Sequence, residues 1–107
     1  MTMSEVTLKA DEKGIWRSDN GGKPFGIEWE EIYGISGYTM SYSNGPEIEI
    51  EFDFDYGESF RINETWEGFN DIIKAVHDRK MYREESWLQK VSAVGEDDEI
   101  YEIWQKS

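Results

Sequence analysis

The chain has 107 residues, with 24 acidic against 11 basic, a net charge of −13 and no cysteine. That length suits a single domain, residues 1–107, able to bury one core without covalent staples. The missing thiols exclude disulfides and thiolate metal sites, and the charge disfavours nucleic acid and anionic membrane while favouring a basic protein partner.

Eleven Ile against two Leu tilt the chain toward sheet. Five Trp and six Tyr restore apolar area that the aliphatic residues alone do not supply. The start, Met-Thr-Met-Ser-Glu-Val-Thr-Leu, has no basic segment followed by an apolar one. No apolar run approaches the roughly 20 residues of a membrane span. A soluble, cytoplasmic protein is expected.

Val6, Leu8 and Ala10 alternate with Thr7 and Lys9 as a first strand. Asp11-Glu12-Lys13-Gly14 is turn chemistry, and Ile15 to Ser18 returns as a second strand. After the loop Asp19 to Pro24, Phe25, Ile27 and Trp29 alternate as a short third strand. Tyr33 to Ser43 forms a fourth, in which Tyr38, Met40 and Tyr42 share a face and Gly34 and Gly37 suggest a bulge. Ser43-Asn44-Gly45-Pro46 is a hairpin signal.

The stretch that follows, Glu47 to Tyr56, alternates without a fault. Ile48, Ile50, Phe52, Phe54 and Tyr56 fall on one side, and Glu47, Glu49, Glu51, Asp53 and Asp55 on the other. Only a period of two separates those sets. The same-face acids sit about 7 Å apart. Each neighbouring pair then repels by roughly 0.6 kcal/mol in water and about four times that at an effective dielectric of 20. The row must therefore be wet, matched by cations on neighbouring strands, or open to a positive partner. Tyr56-Gly57-Glu58 turns the chain, and Ser59 to Asn63 adds a sixth strand with Phe60 and Ile62 inward.

The period then changes. Trp66, Phe69, Ile72, Ile73 and Val76 recur at helical spacing and predict a helix over 65–80, with Asn63 or Thr65 as cap. The remainder, residues 81–107, reads as a second hairpin, or a short helix followed by a strand, around an acidic turn at Gly95-Glu96-Asp97-Asp98.

This order resembles bacterial pleckstrin-homology-like and GRAM-like domains. The residues that carry the likeness are Gly14-Ile15-Trp16, Ile27-x-Trp29-x-x-Ile32-x-x-Ile35, the acidic strand, and Trp66-x-x-Phe69-x-x-Ile72-Ile73, covering about residues 5–80. The resemblance implies an α+β fold: an antiparallel meander forming a twisted, partly open barrel capped by one amphipathic helix. Lipid-binding members grip phosphates with a basic first hairpin, and Lys9, Lys13 and Arg17 stand in that region here, interleaved with Asp11, Glu12 and Asp19. In size, charge and layout the chain also resembles the immunity proteins of toxin–immunity pairs.

No constellation for catalysis emerges, and no cofactor or metal is expected. Asp53-x-Asp55-x-Gly57-Glu58 has its glycine one place too early for a calcium loop and follows a strand. His77, the single histidine, has no second His or Cys for zinc and no nucleophile beside it. Adjacent acids such as Glu30-Glu31 and Glu84-Glu85 point apart on extended backbone and do not flank a cleft. Trp16, Trp29, Trp66 and Phe69 are most simply core; Tyr38, Met40 and Tyr42 are core or an aromatic strip beside the acids. The expected function is a non-catalytic protein-binding module. Its contact face is Glu47, Glu49, Glu51, Asp53 and Asp55, its partner a basic protein such as a cognate toxin. A ligand- or membrane-recruiting domain using Lys9, Lys13 and Arg17 is the alternative, and an acidic domain with no specific surface a third.

Overall fold

The computed structural model describes residues 5–55, 57–94 and 100–106. The expected inward Tyr56 and the acidic turn at Gly95-Glu96-Asp97-Asp98 lie outside them. The fold is α+β, with two antiparallel sheets and two helices. β1 (Val6–Ala10), β2 (Gly14–Asp19) and β3 (Phe25–Glu28) form the first sheet. The second has the order β6 (Glu58–Asn63), β5 (Gly45–Asp55), β4 (Gly34–Tyr42), β7 (Tyr101–Gln105). The described strands do not close into a barrel. The meander breaks at a 3-10 turn, Trp29–Glu31, where the sequence pattern extends the third strand.

Local chemistry explains each hairpin. Asp11 Oδ1 accepts from the backbone N–H of Lys13 and of Gly14, both at 2.9 Å, which tightens the β1–β2 turn. The Trp29 indole then donates to the Asp11 carbonyl at 2.7 Å, locking the 3-10 turn onto that hairpin. In the β4–β5 hairpin Tyr42 pairs with Gly45, leaving Ser43 and Asn44 as a two-residue connection.

The helix is shorter than its periodicity predicts. α1 runs Phe69–Asp78, and neither Asn63 nor Thr65 caps it. Asn63 Oδ1 accepts from Thr65 N–H and Oγ1 instead, at 2.8 and 2.7 Å, holding a turn. Glu67 is then taken by the first sheet: Leu8 N–H donates to its carbonyl at 2.7 Å, and Thr7 bridges it in parallel. Gly68 makes the corner with φ of 91°, and a side chain there would put Cβ 2.0 Å from the Leu8 carbonyl oxygen. Strand pairing outcompetes the first helical turn.

After α1, a second helix, α2 (Trp87–Ala93), leads to β7 beside β4, so the tail is a helix and a strand rather than a hairpin. Val91 packs over Gly37, whose absent side chain would otherwise meet both Val91 methyls at 3.0 Å. The core between the sheets and helices takes Leu8, Ile15, Ile27, Trp29, Ile35, Ile50, Phe52, Phe60, Ile62, Phe69, Ile72, Trp87 and Ile103. Trp29 and Phe69 are core as expected, whereas Trp16 and Trp66 are only half-buried. No helix among the described residues is long and apolar enough to cross a membrane.

Candidate functional site: the outer face of the four-stranded sheet

The predicted alternation of β5 holds. Ile50 and Phe52 are fully buried and Ile48 and Phe54 partly so, while Glu47, Glu49, Glu51, Asp53 and Asp55 point to the opposite face. Cross-strand register brings Tyr38 beside Glu49 and Met40 beside Glu47 from β4. From β6 it brings Asn63 beside Glu49 and Arg61 beside Glu51. Tyr38, Met40 and Tyr42 therefore belong to the acidic face and not to the core, with Tyr42 the most exposed of the three.

The expectation that all five acids stand in water is corrected at Glu49, which is only 5 % exposed. Tyr38 Oη donates to Glu51 at 2.7 Å and to Glu49 at 3.3 Å, and Tyr42 Oη donates to Glu49. Asn63 Nδ2 donates to both Glu47 (3.0 Å) and Glu49 (3.1 Å), and Arg61 Nε lies 3.6 Å from Glu49. A carboxylate can accept about four hydrogen bonds. Neighbouring phenols and an amide supply hydrogen bonds and the Arg61 guanidinium an opposite charge, which is what permits burial on this face.

The same contacts move the titration of their donors. Burial and the Glu51 carboxylate push the Tyr38 phenol well above its ordinary value, and the hydrogen bond to Glu49 raises Tyr42. Arg61 is raised too, through Tyr38 and then Glu49. Further along the row, burial, with Glu51 adding to it, raises Asp53 above the usual carboxylate value.

Sequence reasoning missed Arg61 and Asn63. The signal was available: they alternate with Phe60 and Ile62, so once those face the core the others must face the acids across the β5–β6 hairpin.

The alternative anion site does not assemble. Lys9 pairs with Trp16 and Arg17 with Leu8, so Lys9 and Arg17 lie on opposite faces of the first sheet. Arg17 is committed to Asp19 at 2.7 Å and stacks over Trp66, with its guanidinium carbon 4.5 Å from the ring centre. Lys13 sits apart in the turn. The ring of His77 stacks on Tyr82 with centres 5.0 Å apart. Among the described residues no group of three or more His, Asp or Glu is placed to hold a metal ion.

Comparison of the chain with protein-family models, with curated proteins and with solved structures returns no match.

Proposed function

We propose that the chain is a non-catalytic protein-binding module whose outer β5 face receives a basic partner, most concretely as an immunity-type protein that occludes a basic toxin. The observation that carries this reading is a charge imbalance on the sheet face turned away from the core. The five acids of β5 share it with one cation from the four strands, Arg61, while Glu102 of β7 is paired with Arg83. Tyr38, Tyr42 and Asn63 satisfy carboxylate lone pairs without cancelling charge. The field remains available to steer a positive surface into contact, and the half-exposed phenols add rigid contact area. The pleckstrin-homology-like description of the fold belongs to the same proposal. Its support is the order of two strand triplets followed by α1, which packs on β1.

The test is a double charge reversal at the two ends of the row, Glu47→Lys with Asp55→Lys, in association measurements against a basic protein captured by the wild-type chain at low salt. Steering predicts an association rate lower by about tenfold or more at low ionic strength and a flatter salt dependence. An unchanged rate and slope would remove this face from the interface.

A further inference from the structure

We infer that the outer face carries, at its β4–β7 end, a seat for one arginine side chain of the basic partner. This rests on the protein-binding reading and narrows it from a charged surface to a point.

A cleft of about 240 Å³ opens there, lined among others by Tyr33, Gly34, Ser36, Asp53, Glu102 and Trp104. Register explains its shape. On the middle strand β4 stand two small residues, Gly34 and Ser36. Gly34 lies between Asp53 of β5 and Gln105 of β7, and Ser36 between Glu51 and Glu102. Small residues thus form a floor between longer polar side chains. The gap exists because residue 34 has no side chain: a Cβ there would stand 3.2 Å from Asp53 Oδ2. β5 and β7 are two strand spacings apart, about 9–10 Å. Asp53 from β5 and Glu102 from β7 line the gap from its two sides.

The groups around the floor favour this occupant over others. Asp53 is half-buried, and among the described residues nothing donates to its carboxylate; only burial and the like charge of Glu51 act on it. A bound cation would relieve both. Glu102 already holds one guanidinium at the rim, Arg83 Nη1 at 2.8 Å. Tyr33, exposed and lining the cleft, offers ring surface, which suits a weakly hydrated planar cation better than a compact ammonium or a hydrated metal ion. Tyr33 is fixed for this by its Oη donating to the Asp55 carbonyl at 2.7 Å and its backbone N–H donating to the Asp53 carbonyl at 2.9 Å.

The experiment is a two-dimensional NMR titration of the full chain at low ionic strength with two blocked tripeptides, Gly-Arg-Gly and Gly-Lys-Gly. The arginine peptide should give saturable shifts at the Gly34 and Ser36 amides, and the lysine peptide should bind several-fold more weakly. Gly34→Val, which fills the floor, and Asp53→Asn, which keeps its shape, should each weaken binding by about tenfold, the loss expected for one charge-assisted contact. Unchanged spectra elsewhere establish that both variants fold. Asp71→Lys, an exposed acid on α1 away from this face, should leave the peptide affinity within about twofold. Equal binding by wild type, Gly34→Val and Asp53→Asn, with shifts spread along β5, would overturn the seat and leave the charged-face reading standing. Absence of any arginine-peptide binding by the wild type would overturn it as well. The charge-reversal experiment on the partner reports on the wider reading separately.

Discussion

Along β5, Glu47, Glu49 and Glu51 each receive side-chain hydrogen bonds from β4 or β6, whereas Asp53, two residues further, receives none among the described residues. The alternation is the same in both halves. What differs is the residue across the strand boundary. Tyr38 and Asn63 flank Glu49, while Gly34 and Ser59 flank Asp53. Long donors convert a repulsive row into a packed polar layer; small neighbours leave a carboxylate beside a cleft. A strand's own pattern decides which way its charges point, and its neighbours decide whether those charges are structural or available.

Removing the acceptor at the centre of the packed half is expected to have the largest effect. Glu49→Ala leaves the Tyr38 and Tyr42 hydroxyls, the Asn63 amide and the Arg61 guanidinium without their shared partner, at a site 5 % exposed. Breaking such a buried polar centre costs about 3 kcal/mol. For a domain of this size the melting temperature should fall by roughly 10–20 °C. Glu49→Gln keeps one acceptor oxygen and should cost roughly half as much. If denaturation curves of Glu49→Ala matched the wild type, the network would be ornament and the two halves of β5 equivalent.

The tyrosines give a pH signature of the same half. A phenol whose folded pKa lies above its unfolded value, near 10, holds its proton more tightly in the folded state. Its contribution is then complete below about pH 10 and is lost as pH rises through the folded pKa. Tyr38 and Tyr42 are both raised. Stability should therefore decline on the alkaline side, and Tyr38→Phe with Tyr42→Phe should flatten that decline. At neutral pH Tyr38→Phe alone should cost about 1–2 kcal/mol, since it removes the donor to Glu51 and Glu49. Denaturant titrations at pH 7 and across pH 9–11 separate the two effects.

How much of this is legible in the sequence follows from the range of each interaction. The strands up to Asn63, the hairpin at Ser43–Gly45 and the direction of every β5 side chain follow from period and turn chemistry, both local. The burial of Glu49 needs the β5–β6 register, one hairpin away, and could have been inferred. The late start of α1 could not, because it depends on Glu67 pairing with β1 some sixty residues earlier. The cleft is further out of reach. It needs β7 to lie against β4, with a register shift between Ile35 and Ser36, across nearly seventy residues of chain. Trp87 illustrates the same limit: it is almost fully buried, yet nothing in its short polar surroundings separates it from a surface tryptophan.

The smallest predicted effect probes the other half of β5 directly. Asp53 is raised above the ordinary carboxylate value by burial first and by Glu51 second. A raised carboxylate binds its proton more tightly when folded, so stability is highest below the unfolded value near 3.9 and declines as pH rises through the folded one. Asp53→Asn removes that decline while conserving shape. It should be more stable than wild type at pH 7 by up to about 0.5 kcal/mol, the range of a partly exposed substitution without a hydrogen bond to lose. The difference should vanish at acid pH, where both side chains are neutral. The opposite sign, with Asp53→Asn less stable at pH 7, would mean the carboxylate is held by a donor after all. The contrast between the packed and the open half of the strand would then collapse.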